Sequence, residues 1–352
     1  MRGCALTLAL TGGIILCSCA PRTALEHGND TLHPSKLSYP ELKWDVPLGK
    51  PYRTTLDNGL RLYIAEDKSL PLVRFRAYLK AGEMMDPVGK EGLSALACRL
   101  IRTGGTDSIP ADTLDERLER YAISLSVSSS ESELVVDASF LSEFSDTALA
   151  IMEQVLFHPA FEPDRVEREK RILLQSIRHR FDEPGPTLSG AFVKTMYPAQ
   201  SNSRMATEKS VANITREDLI AFHRRIFGTG NMIAAIAGDF DRSTMVQKLG
   251  ALFPTSRSQD TTGLEFAAVS IAPRNKCLIV HKPISQAYVR MGLPFIKRPH
   301  PDYYPMSVLN EVLGGGGFTS RLAKTVRSDE GLTYSIYSRA QSEYRKPGTI
   351  YI

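Results

Sequence analysis

Cysteine is scarce in this chain, with five in 352 residues. Cys4, Cys17 and Cys19 crowd the first nineteen positions, which leaves only Cys98 and Cys277 for the rest. A disulfide framework is excluded. A single Cys98–Cys277 bridge stays open in an oxidising compartment, and the other reading of each is a small buried hydrophobe. Tryptophan occurs once, and the formal net charge is only +4. No basic stripe interleaves with aromatics, which argues against nucleic acid as a partner. Beyond the N-terminus no apolar run approaches the ~18–20 residues of a membrane span. None of the seven histidines has another four residues away. The helical histidine pair that could converge on a zinc ion is therefore missing.

What is present is an ordinary globular composition, 42% hydrophobic and 23% charged, at a length that favours two domains. The N-terminus is informative. Met1-Arg2 is a short basic start, Ala5 to Leu16 is apolar, and Leu16-Cys17-Ser18-Cys19 follows. A basic region ahead of a short apolar one reads as a secretory signal. The pattern resembles a bacterial lipoprotein lipobox, which makes residues 1–19 the signal peptide and Cys19 the lipidated first mature residue. The alternative is an ordinary signal peptide cut nearby. Ala20 resembles the residue found in lipoproteins sent onward, which implies the periplasmic face of the outer membrane. Residues 20–50 are polar and punctuated by proline and glycine, as a tether is.

From residue 51 strand and helix signals alternate. Leu60–Glu66 and Val73–Lys80 alternate apolar and polar, and Asn58-Gly59 turns into the first. Within Gly92–Thr103, the residues Leu93, Leu96, Ala97, Leu100 and Ile101 form one helical stripe. Thr113–Ala122 is a second helix, Ile123–Ser128 and Glu133–Phe140 are strands, and helices follow at 142–156, 163–182 and 215–226. Met232–Gly238 is a strand and Ser243–Leu252 a helix. Residues 256–275 lie in a Pro-, Ser- and Thr-rich linker, after which the order restarts. Strands are expected at Cys277–His281, Gln286–Leu293, Tyr334–Arg339 and Thr349–Ile352, with helices at Tyr303–Leu313 and Ser320–Arg327. The pattern implies an α+β fold of two repeated domains, 51–255 and 276–352, each an antiparallel sheet covered by helices. The second reads as incomplete beside the first.

On the helix at 92–103, Ala95, Cys98, Arg99 and Arg102 lie opposite the apolar stripe. Cys98 beside a guanidinium could act as a thiolate or stand as a spectator; no partnering His and Asn are evident. Further motifs surround this helix. They are Leu56–Gly59, Ala81-Gly82, Gly92-Leu93, Gly104-Gly105-Thr106, His158–Phe161, Glu167-Arg168-Glu169 and Gly238-Asp239-Phe240. In this order they resemble the N-terminal domain of the insulinase/pitrilysin-like zinc metallopeptidases, which include the mitochondrial processing peptidases. That family carries an inverted zinc motif, H-x-x-E-H, three residues after the glycine matched by Gly92. The resemblance puts its two histidines and general base on Ala95, Arg99 and Cys98. The family's glutamate ligand falls on Ser176, 77 residues beyond Arg99, and its supporting glutamate on Glu169. Without the resemblance, Glu169 reads as a solvated helix charge.

The second half carries Gly314, Gly315, Gly316 and Gly317, then Phe318-Thr319-Ser320-Arg321-Leu322, Arg327 and Gly331-Leu332-Thr333-Tyr334. This resembles the family's C-terminal motif, in which an Arg and a Tyr seven residues later contact substrate. The resemblance makes Arg327 and Tyr334 substrate-binding and the glycines a mobile loop at the substrate chamber. The other reading gives a helix-end cation, a strand aromatic and a helix stop. The resemblance implies a chain with no zinc of its own. It would serve as the substrate-binding subunit of a periplasmic heterodimer whose partner, a homologue with the intact motif, holds the metal. Peptides or unfolded polypeptides are the implied substrate. Two alternatives are a peptide-binding or scaffold lipoprotein without a peptidase partner, and a self-sufficient peptidase with a rewired site.

Overall fold

A computed structural model describes residues 49–197, 204–253, 276–344 and 347–352. Cys19, the expected signal peptide, nearly all of the tether and the linker at 256–275 lie outside them. Strand β1 (Arg53–Thr55) turns through Asn58-Gly59 into β2 (Arg61–Glu66), with Gly59 at φ +84°. In β3 (Leu72–Leu79) Val73, Phe75, Ala77 and Leu79 are buried while Arg74, Arg76 and Tyr78 face solvent. Alternation with period two sets one face on a core and the other in water. Helices α1 (Leu93–Thr103) and α2 (Ala111–Arg120) lead to β4 (Ser124–Ser129) and β5 (Leu134–Leu141). Five helices follow: α3 (Ser145–Phe157), α4 (Pro163–His179), α5 (Pro184–Met196), α6 (Glu208–Ala212) and α7 (Arg216–Ile226). The chain then returns through β6 (Met232–Gly238) and α8 (Arg242–Leu252).

These strands form one six-stranded sheet in the order β1-β2-β6-β3-β5-β4. The α+β class stands, with one difference from expectation. β6 lies parallel to β2, with Ile64 opposite Ile236, while every other pair is antiparallel. The long connection from β2 to β6, which holds β3 to β5 and seven helices, gives the chain the length a parallel pairing needs. Gly238 ends β6 at φ +141°, where a Cβ would lie 2.0 Å from the Leu72 carbonyl oxygen. The core joins the inner sheet face to Leu96 and Leu100 of α1, Leu149 and Met152 of α3, and Leu219 of α7. Phe253 closes it, edge-on to Phe75 and Phe157 at 6.0 and 5.3 Å between ring centres. Asn58 is more than a turn residue. Its side-chain amide donates to the Phe253 carbonyl at 2.9 Å and ties the first turn to the end of α8.

Helix α5, absent from the sequence reading, starts Pro-Gly-Pro and contains Gly190. Its stability comes from contacts outside itself: Phe192 packs on Tyr351, and Ser189 accepts from Arg290 at 3.0 Å. Helix α6 spans only five residues, too short for periodicity to reveal, and is held by the Thr207–Ser210 capping box.

The second half is sparser in regular structure than its sequence suggests. A three-stranded antiparallel sheet, β7-β9-β8, consists of β7 (Gly292–Pro294), β8 (Arg339–Gln341) and β9 (Thr349–Tyr351), with α9 (Tyr303–Asn310) beside β8. The strand expected at Cys277–His281 does not form, and those at Gln286–Leu293 and Tyr334–Arg339 shrink to their last residues. Leu278, Ile279 and Val280 are 59%, 86% and 50% exposed. No described strand pairs with them, and without a ladder their β-propensity gains little.

Asp86 fixes the start of α1. Its carboxylate accepts from the backbone N–H groups of Gly92 (2.8 Å) and Ser94 (3.0 Å), two of the donors a helix start leaves open. Burial raises its pKa to about 6, although those two N–H groups pull the other way. The native state therefore holds this proton more tightly than the unfolded chain does. The resulting stabilisation is full below about pH 4 and is lost as pH rises through about 6. Urea unfolding between pH 4 and 7 should show wild type losing about 2 kcal/mol relative to Asp86→Asn across that window. Parallel profiles for the two proteins would contradict this.

Candidate functional site

Helix α1 buries the expected stripe, and Cys98 with it. Cys98 is 1% exposed and belongs to the core, so the predicted outward face of Ala95, Cys98, Arg99 and Arg102 is split. The helix is covered by the sheet on one side and by α4 and α7 on others, which leaves little surface to turn outward. Burial, with the nearby Asp86 charge, pushes the Cys98 thiol up, away from the thiolate that attack or metal binding requires. Of the four positions only Arg99 is exposed, and its guanidinium reaches α4. There Nη1 lies 3.4 Å from Oε2 of Glu169, a carboxylate only 6% exposed.

Glu169 is thus not a solvated charge, as its polar surroundings in sequence suggest. It is a buried carboxylate whose counter-ion is a side chain of this same chain. The pair is worth on the order of 1 kcal/mol after screening, because Arg99 is half exposed. Ser176 lies on the same helix about two turns further on and is exposed. Zinc takes thiolate, imidazole or carboxylate ligands in a tetrahedral set. Ala95 supplies no donor, Cys98 a protonated thiol, Arg99 a cation and Ser176 a neutral hydroxyl. These residues do not fit a zinc ion, and a guanidinium beside Glu169 repels one. Among the described residues no other group of three or more His, Cys, Asp or Glu side chains is placed to hold a metal.

The second predicted site comes together around Arg327. Its guanidinium carbon lies 4.4 Å from the ring centre of Phe318 and 5.0 Å from that of Tyr334. Tyr334 is 87% exposed, so it is a surface aromatic and no half-buried strand residue. Arg327 sits in a π-helical turn, Ala323–Asp329. The glycine run is folded as the end of a helix. Glu311–Gly315 forms a second π turn continuing α9, and a 3-10 turn, Gly317–Thr319, follows. Gly314 is buried against the following strand segment, where a Cβ would lie 2.3 Å from the Ser338 nitrogen. At Gly316 a Cβ would lie 2.8 Å from the Glu311 carbonyl oxygen, whereas Gly315 faces only the ends of the Asn310 and Glu311 side chains at such distances. Close backbone packing thus accounts for two of the four glycines. Sequence reasoning missed Phe318, whose only signal is an aromatic placed directly after a glycine run. A surface cleft of about 510 Å³ opens between Arg102, Asp115 and the start of β4, and none of the predicted site residues lines it.

A six-stranded mixed sheet with helices packed on one face, followed by a smaller three-stranded sheet, defines the class of fold. Residues 62–208 match the profile of the insulinase family (peptidase family M16), and residues 213–352 match that of the peptidase M16 inactive domain. The chain belongs to the M16 family, and its sequence lacks the H-x-x-E-H motif. It is 26% identical to a Helicobacter pylori protein named non-peptidase homolog YmxG over 78% of this chain. It is 24% identical to the Bacillus subtilis uncharacterized zinc protease YmxG over 85% of its length. It spans 63% of the first relative and 72% of the second. A Pseudomonas fluorescens peptidase M16 inactive domain superposes with a TM-score of 0.74 at 25% identity, covering 85% of this chain and 72% of that one. A Helicobacter pylori protease superposes at 0.73 with 18% identity, covering 85% and 73%, a likeness of fold.

The burial of α1 makes a direct prediction about thiol chemistry. Iodoacetamide applied to the native protein should modify Cys277, which is exposed, and leave Cys98 untouched until denaturant is added. Native modification of Cys98 at a rate like that of Cys277 would revive the nucleophile reading.

Proposed function

We propose that this chain is the non-catalytic, substrate-binding subunit of a periplasmic, lipid-anchored heterodimeric zinc metallopeptidase. The carrying observation is an asymmetry between its two halves. In the first, the positions of the zinc ligands hold no ligand, and Arg99 supplies Glu169 with its positive charge. In the second, an exposed Tyr334 stands against a half-buried Arg327. Arg donates a planar fork and Tyr a single hydroxyl, donors suited to the carbonyl and carboxylate oxygens of a peptide. A chain with the donors and without the metal suits pairing with a homologue that has the metal. In that assembly zinc belongs to the partner, and this chain needs no cofactor. The M16 inactive-domain match and the non-peptidase relative support the non-catalytic part of the reading. The lipobox at Leu16–Cys19 supports anchoring through Cys19 at the periplasmic face of the outer membrane.

Capture of the tagged full-length protein from detergent-solubilised cells tests the pairing. The expected result is near-equimolar recovery of an H-x-x-E-H-bearing homologue, with both proteins lost from the membrane fraction when Cys19 is changed to Ala. Recovery of this chain alone would overturn the heterodimer and favour a peptide-binding scaffold.

A further inference from the structure

Phe318 has no role in the readings above, yet the structure gives it an unusual position. Two π turns, Glu311–Gly315 and Ala323–Asp329, flank it; such turns are rare and recur at functional sites. Gly317, at φ +64°, turns the chain so that the Phe318 ring stands 76% exposed. A phenylalanine left in water forgoes the gain of burial. What the ring does contact is the guanidinium of Arg327, at 4.4 Å.

The Arg327 side chain makes no hydrogen bond or ion pair with any described residue. Asp329 and Glu330 lie in the same segment, and neither forms an ion pair with it; the side chains of Arg321 and Lys324 are likewise unpaired. The ring faces of Phe318 and Tyr334 attract the cation through their quadrupoles but do not take up its N–H donors. A guanidinium held against rings keeps a fork of parallel donors, and the acceptor that matches two parallel N–H groups is a carboxylate. A backbone carbonyl offers one neutral oxygen.

We infer that Phe318 is a positioning residue for Arg327, and that the Phe318–Arg327–Tyr334 cluster binds peptides through a carboxylate. This rests on the reading that the second half receives peptides. The carboxylate could be the peptide C-terminus or an acidic side chain.

Fluorescence polarisation with the full-length protein in detergent separates the possibilities. Three labelled short peptides of otherwise neutral sequence serve as probes: a free C-terminus, an amidated one, and an amidated one with a single internal Glu. The free-carboxylate peptide should bind roughly tenfold more tightly than the amide. Restored affinity with the internal Glu would assign the carboxylate to side chains, and no restoration would assign it to the C-terminus. Phe318→Leu should weaken binding roughly three- to fivefold. Phe318→Tyr should bind like wild type, and both variants should keep its melting temperature. Equal affinity for all three peptides, or a Phe318→Leu variant indistinguishable from wild type, would overturn the inference. If Arg327→Ala still abolished binding in that case, the peptide-binding reading would stand without it. Failure of the wild type to bind any of the three would overturn both.

Discussion

The packing of helix α1 between the first sheet and α4 constrains everything else in the first half. Leu93, Leu96, Ala97, Cys98, Leu100 and Ile101 are all buried, and Asp86 holds the first turn from six residues upstream. A helix enclosed in this way can show few side chains to a ligand. The exception is Arg99, which turns to Glu169 and gives that buried carboxylate a charge partner. An unpaired buried charge is costly, and Arg99 removes that cost within the chain.

The second half obeys a different constraint. Its sheet has three short strands, and α5 from the first half supplies an aromatic contact through Phe192 against Gly292 and Tyr351. Around Arg327 the ordering forces are tight glycine packing at Gly314 and Gly316 and attraction between a cation and two rings. Neither depends on a large buried core. The cluster can therefore be well placed and solvent-facing at once, a combination that the buried α1 cannot offer.

Much of the first domain was legible in the residues themselves. Asn58-Gly59 marked its turn, Met232–Gly238 its strand, and the stripe from Leu93 to Ile101 its helix, because local periodicity and burial agree there. Where they disagree, the sequence misled. Cys98 sat on the polar side of a helical wheel but lies in the core, since α1 is enclosed on more than one side. Glu169 looked solvated amid Glu167, Arg168 and Lys170, and only its tertiary partner on α1 distinguishes it. Leu278–Val280 read as a strand but pairs with no described neighbour. The parallel register of β6 and the helical character of Pro184–Met196 are set by distant contacts, which a single sequence does not contain. Only the resemblance to the family singled out Ala95, Cys98, Arg99 and Ser176; that Arg99 and Glu169 pair was not legible.

If Arg99 supplies the charge that Glu169 needs, the protein should hold no zinc there. Purified full-length protein, incubated with equimolar zinc and passed through a desalting column, gives the most direct check by elemental analysis. The account predicts far less than one zinc per chain, unchanged by prior treatment with a chelator. One zinc per chain, removed by chelator and lost when Glu169 is changed to Gln, would contradict it.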